Sequence, residues 1–185
     1  MYLSHQCTCT KGRIYVTITV DRAGIWDSEA IADVAAVTFP LACPPDASDD
    51  DISAFIDNVL SVDKFSEYLT DPTRTVLKVI SGDAIVGYAM LIDDEPTDPD
   101  VQAALTLRPT TELSKLYVLP GNHGSGAAAA LMDAAISHAQ KCGSAGIWLG
   151  VNQENVRAQK FYTKRGSRRS VPRRLSSAPN SITIS

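Results

Sequence analysis

The chain has 185 residues, 44% of them hydrophobic, and a formal net charge of −4. That supplies one compact domain with a real core and leaves little for a second. The acidic balance argues against a nucleic-acid binder held by phosphate neutralisation, and no apolar run is long enough to span a membrane.

Residues 1–12 read as a disordered extension. They lack the apolar stretch of a signal peptide, so the expected location is cytoplasmic. Residues 13–20 are β-branched with period-two polarity and predict a first strand. Asp27 or Ser28 is a helix cap, with Ile31, Val34, Ala35 and Thr38 on the inner side. After the Pro44-Pro45 break, Ile52, Phe55, Ile56 and Val59 recur at three-to-four spacing, which predicts an amphipathic helix over 48–60. A short turn follows at 65–69. Residues 75–80 and 84–92 form a hairpin around Ser81-Gly82-Asp83, and residues 93–100 an acidic loop. A strand at 111–119, a helix from Gly124 to about Cys142, a strand at 146–151 and a helix over 155–164 complete an α/β order.

Cys7 and Cys9 are two apart, with no nearby pair to complete a tetrahedral zinc site, and Cys43 and Cys142 read as reduced thiols. His5, His123 and His138 have no metal-ligand spacing. No metal is expected, and His138 reads as ordinary helix surface.

The most informative segment runs from Leu116-Tyr117-Val118-Leu119-Pro120 through Gly121-Asn122-His123-Gly124-Ser125-Gly126 into Ala127-Ala128-Ala129-Ala130. Glycines at 124 and 126 let backbone approach a ligand, and the following helix offers unpaired N–H groups and its positive end. A pyrophosphate suits such a cradle. The segment is not a P-loop, which needs Gly-Lys-Ser/Thr, nor a dinucleotide fingerprint, since Ala129 stands where the third glycine would be.

The same segment resembles motif A of the GNAT superfamily of N-acetyltransferases, Arg/Gln-x-x-Gly-x-Gly/Ala after a strand ending Val-x-Pro, with His123 in place of Arg or Gln. A second stretch, Asn152-Gln153-Glu154-Asn155-Val156-Arg157-Ala158-Gln159-Lys160-Phe161-Tyr162 followed by Gly166, resembles the family's motif B, Asn-x-x-Ala-x-x-Phe-Tyr-x-x-x-Gly. The resemblance covers residues 14–166. It implies the acyl-CoA N-acyltransferase fold, a mixed sheet flanked by helices, and acetyl-CoA as cosubstrate. By resemblance, a bulge before motif A leaves Tyr117 and Val118 to pair with the pantetheine amides, and Val118 N–H polarises the thioester carbonyl. His123, Gly124, Ser125, Gly126, Ala127 and Ala128 cradle the pyrophosphate, and Asn155 contacts the pantetheine arm.

Acetyl transfer needs a neutral amine and an acid for the departing thiolate. Holding a lysine-like amine neutral at pH 7 costs about 4.6 kcal/mol, so the site must supply a base or a desolvating pocket. Glu112 and water are candidates for the base. Tyr162 suits the acid, because a phenol stays protonated at pH 7. Tyr162 could instead be packing beside Phe161, Asn155 only a helix N-cap, and Glu112 only a solvated strand residue.

Glu112-Leu113 and Trp148-Leu149-Gly150-Val151 look like the bacterial branch that includes polyamine and diamine acetyltransferases. Asp49-Asp50-Asp51 and Asp93-Asp94-Glu95 suit a cationic amine. A peptide amine, an aminoglycoside or an amino acid remain open as acceptors, as does a homodimer. A CoA-binding module without turnover is the non-enzyme alternative. The family would place a Phe directly after Gly166 and then two closing strands, yet residues 167–180 are polar and arginine-rich. A frameshift near the Gly166 codon would account for this: TCN serine codons read one base earlier become NTC, turning positions 167, 170, 176 and 177 apolar. The sheet is then expected to lack its last strands or to carry them irregularly.

Overall fold

Apolar residues on both faces of two adjacent strands fix the layering. A computed structural model describes residues 17–151, 155–164, 168–169 and 180–184. In it, β2 (Arg74–Ser81) and β3 (Ala84–Ile92) pair as an antiparallel hairpin turning at Gly82, whose φ is +63°. Because side chains alternate along a strand, Leu77, Val79, Ala89 and Leu91 face one side, where Leu131, Met132 and Ala135 of α5 (Ala127–Lys141) meet them. Val76, Tyr88 and Met90 face the other side, against Ile31 and Ala35 of α1 (Ser28–Thr38) and Phe65 of α3 (Val62–Thr70). Each fully buried side chain of this size contributes on the order of 1.5 to 3 kcal/mol.

The sheet has the strand order β1-β2-β3-β4-β5-β7-β6, with β1 at Ile18–Arg22, β4 at Thr110–Val118, β5 at Gly146–Val151, β6 at Arg168–Arg169 and β7 at Asn180–Ile184. Among the described strands only β4 and β5 pair parallel, joined by the α5 crossover, so the sheet is mixed. Helix α2 (Asp49–Val59) is amphipathic as expected, starting where Ser48 Oγ accepts from Asp51 N–H, and Phe55 stacks on Phe39 with ring centroids 4.4 Å apart.

Several elements differ from expectation. The turn at 65–69 is the full helix α3, because Ser61 Oγ caps Lys64 N–H. The acidic loop contains α4 (Pro99–Ala104): Asp98 accepts from the amides of Asp100 and Val101, and Pro99 takes the first helical position, where no N–H is needed. Asp27 holds the N-cap position of α1 as expected, but its side chain makes no capping hydrogen bond. Its carboxylate instead accepts from Gly24 N–H at 2.8 Å and from Lys78 Nζ at 2.8 Å, which ties the approach to α1 onto β2. The described part of the first strand begins at Ile18, and residues 13–16 and the extension 1–12, with His5, Cys7 and Cys9, lie outside the described residues.

The expected loss of the closing strands is corrected in part. β7 pairs antiparallel with β5 over five positions, Ile147 to Val151 against Ile184 to Asn180, while β6 contributes two residues. The sequence reason lies at the end of the chain, where Ser181-Ile182-Thr183-Ile184 alternates polar and apolar. The arginine-rich stretch on which the expectation rested falls mostly at 170–179, outside the described residues.

Candidate functional site

β4 and β5 part company midway. Their parallel pairing runs through Thr110–Gly146, Thr111–Ile147 and Glu112–Trp148, and none is recorded beyond Glu112, while β4 continues to Val118 against β3. A bulge at Ser114, where Met90 pairs with Lys115 and Leu91 with Leu113, marks the departure. The opening is a cleft of about 420 Å³. Its walls are the end of β4, the loop and first turn of α5, and α6 (Val156–Lys164) with Asn155; Thr38, Leu41 and Ala42 close the far side.

The backbone of β4 offers specific groups to this cleft. Leu119 N–H donates to Val86 O at 2.8 Å, so residue 119 and, two back, Tyr117 direct their polar groups toward β3. Val118 therefore turns its N–H and C=O toward the side β5 has left. Its carbonyl is taken: His123 Nε2 lies 2.8 Å away, and since a carbonyl only accepts, that nitrogen carries the proton. Tyr117 lines the cleft, but its backbone pairs with Tyr88, contrary to the expectation that it would serve the pantetheine amides.

The cradle has the conformation its glycines suggested. Gly124 and Gly126 have φ of +83° and +96°, left-handed values that L side chains rarely adopt, and a Cβ at either would meet nothing within 4 Å. Gly126 is the residue before α5 and supplies no side-chain cap; the first turn carries no acidic residue. Ala130 N–H to Gly126 O (2.9 Å) is the first step of the helical ladder, so the amides of 127–129 precede it, and Ser125 Oγ accepts from the first of them at 3.3 Å. This is a positive, open helix end. Gly124, Gly126 and Ala128 line the cleft; Ser125 turns outward, its Oγ donating to Asn122 O, and the Ala127 methyl is buried in the core.

On the opposite wall, Asn155, which lines the cleft, is also an N-cap: its Oδ1 accepts from Ala158 N–H at 3.0 Å. Tyr162, 8% exposed, packs edge-on to Phe161 at 5.2 Å and reaches both the core and the cleft. Burial, reinforced by the neighbouring Tyr117, pushes its phenol well above the usual value. It is protonated throughout the neutral range.

Glu112 is not brought to the cleft. It lies six residues before Val118, about 20 Å along an extended strand, and is absent from the lining. There, burial raises its carboxyl while Lys115, a Ser114 hydrogen bond and Arg74 pull it back. Lys115 is pushed down to about 8, chiefly by burial, with Glu112 opposing and Arg74 adding to the fall. No carboxylate stands among the described residues that line the cleft. The Asp93-Asp94-Glu95 cluster is likewise engaged elsewhere, Asp93 with His138 and Glu95 with Arg108. Sequence reasoning missed Thr38, Leu41 and Ala42, which carry no motif, and Arg157, which sits inside the motif B stretch yet went unremarked.

Comparisons with known proteins agree with this geometry. The family model described as "Acetyltransferase (GNAT) family" matches residues 37–166. Uncharacterized N-acetyltransferases of Mycobacterium bovis and Mycobacterium tuberculosis are 50% identical over 140 residues, covering 76% of this chain and 82% of theirs. Among solved structures, the PaiA N-acetyltransferase of Thermoplasma acidophilum in complex with coenzyme A superposes with a TM-score of 0.75 at 18% identity, covering 90% of this chain and 98% of that one. A GCN5-related N-acetyltransferase from Rhodopseudomonas palustris gives 0.67 at 18% identity, over 94% and 99%.

Proposed function

The chain belongs to the GNAT family of acetyltransferases and is an acetyl-CoA-dependent acyltransferase, and on that premise we propose that it acetylates a small cationic primary amine of the polyamine or diamine class. The observation that carries acetyl transfer in this cleft is the divergence of β4 from β5 above a helix end with two left-handed glycines and no acid in its first turn. A pyrophosphate fits that end: the amides of 128 and 129 precede the helical ladder, Ser125 Oγ holds that of Ala127, and the first turn carries no acid. Arg157 adds a cation to the same cleft.

In this reading Val118 N–H is the donor for the developing negative charge on the thioester oxygen, a one-donor oxyanion hole. His123 occupies the carbonyl of the same residue, which leaves the N–H as the backbone group Val118 offers to the cleft. Asn155 contacts the pantetheine arm through its amide nitrogen. The amine nitrogen forms its bond to the acetyl carbon as the C–S bond breaks. Tyr162 gives its phenolic proton to the departing sulfur, and water relays the proton lost by the amine back to the phenolate.

Water takes the role of base in place of Glu112 because no carboxylate stands among the described residues of the lining. Neutral amine is supplied by desolvation: Tyr117, Phe161 and Tyr162 line the cleft, and burial beside them lowers the amine's pKa. The diamine class rests on the resemblance of Glu112-Leu113 and Trp148-Leu149-Gly150-Val151 to that branch. It is tested by free-thiol release from acetyl-CoA with a panel of diamines, polyamines, a lysine peptide, an aminoglycoside and amino acids. The largest kcat/KM should fall on a diamine or polyamine; a preference for any other class overturns the assignment.

A further inference from the structure

Three side chains meet at the opposite end of α5 from the cleft, where the sequence suggested only surface. His138 and Cys142 lie one turn apart on the last part of the helix and around its end, and Asp93 follows directly after β3. Their donor atoms all lie within 4.8 Å of one another. His138 Nε2 is 2.7 Å from Asp93 Oδ2 and 3.4 Å from Cys142 Sγ, and Cys142 Sγ is 4.0 Å from the same carboxylate oxygen. His138 is twelve residues beyond Gly126, about 18 Å along the helix, so this cluster has no part in acetyl transfer.

Two chemistries use these residue types. In a nucleophilic triad, the thiol and the carboxylate engage different imidazole nitrogens. Here both face Nε2. The thiol is also pushed up by its burial and by Asp93, with Arg22 only partly opposing, the reverse of an activated thiolate. Convergence of N, O and S on one point is instead the arrangement of a metal site. Tetrahedral bonds of about 2.1 Å to N and O and 2.3 Å to S set the donor atoms about 3.4 to 3.6 Å apart. The S–N separation already fits. A small rotation of the imidazole away from the carboxylate opens the N–O distance.

The site is also built from behind. Asp93 Oδ1 accepts from Thr111 Oγ1 at 2.6 Å, and that hydroxyl is 2.8 Å from Ser144 Oγ. Thr111 is fully buried. It fixes the carboxylate and leaves Oδ2 directed at His138, the outer-shell support that metal ligands characteristically have. Cys142 is exposed, which leaves the fourth position to water.

We propose that Asp93 Oδ2, His138 Nε2 and Cys142 Sγ bind a zinc ion, a three-ligand site that clips the end of β3 to the end of α5. Binding releases the thiol proton, the neutral imidazole keeps its own proton on Nδ1, and no redox change occurs. Cobalt(II) is the probe, added to the full chain carrying Cys7→Ser and Cys9→Ser so that the N-terminal thiols cannot contribute. One equivalent should give a thiolate-to-cobalt charge-transfer band and tetrahedral visible absorption, both removed by stoichiometric zinc. Cys142→Ser should abolish the charge-transfer band, Asp93→Asn should weaken zinc, and Thr111→Val should weaken it by about 10- to 100-fold. Circular dichroism and CoA binding report that each variant is folded. Absence of the band at millimolar cobalt, or its survival in folded Cys142→Ser, overturns the proposal.

Discussion

Gly87 is where the sheet and the cleft are mechanically coupled, and Gly87→Ala tests that coupling. A Cβ at this position of β3 would lie 2.6 Å from Tyr117 O, 2.9 Å from Val118 Cγ2 and 2.9 Å from Val79 Cγ1. Ordinary contact begins at 3.4 Å, so the nearest atom must retreat by about 0.8 Å, and it is backbone. Neighbours on both sides prevent the methyl from escaping along the sheet. Overpacking of this kind costs roughly 1 to 3 kcal/mol. For a domain of this size that is a fall in Tm of about 2 to 12 °C. The strain lands on Tyr117 and Val118, the edge that faces the cleft, and a misplacement near 1 Å costs on the order of 10²-fold in rate. Thermal unfolding and steady-state acetyl transfer measure the two effects separately. A variant with unchanged Tm and unchanged turnover would refute the close approach of β3 to β4 and, with it, the argument that this register aims Val118.

Gly126→Asp places a Cβ and a negative charge at a left-handed position before α5, and calorimetry should show CoA affinity lost while thermal unfolding remains cooperative; unchanged affinity would remove the cradle from the account. Tyr162→Phe keeps the ring and removes the proton, so kcat should fall about 10²-fold with CoA affinity retained, and an unchanged kcat makes the residue packing only. Since the folded-state value of Tyr162 is raised, the acid stays protonated, and wild-type kcat should show no falling alkaline limb up to about pH 10. Lys115 has a folded value near 8, below that of the unfolded chain. Between there and about pH 10.4 the unfolded chain binds more protons, so stability should rise with pH across that window and the rise should vanish in Lys115→Met. Sequencing the gene tests the frameshift reading of the tail; stop codons in the alternative frame before position 184 would dispose of it.

Much of the fold was legible because continuous apolar runs of strand length mark β2, β3 and β5, and three-to-four spacing marks α2. The glycine loop was legible for a sharper reason: few residues other than glycine adopt the backbone angles found at 124 and 126. What escaped depended on pairings between distant positions. Strand alternation gave no hint that β4 leaves β5 after Glu112, so a carboxylate on the right strand was assigned to a cleft it does not line. Nothing local to His138 announced Asp93, which is 45 positions away. Helix α4 was hidden by acidic residues that read as a solvated loop, although Asp98-Pro99 is a cap and first turn. The Thr38, Leu41 and Ala42 wall follows from how α1 packs on the sheet, and no motif encodes it.

The central claim is that this cleft moves an acetyl group from acetyl-CoA to an amine. The most direct measurement incubates the full chain with acetyl-CoA and the amine panel, following free-thiol release together with the mass of each amine. The account predicts saturable CoA binding, thiol release that depends on added amine, and an equal amount of singly acetylated product, all lost together in Gly126→Asp. Tight CoA binding with no amine-dependent release on any member of the panel would contradict it and leave a CoA-binding module in its place.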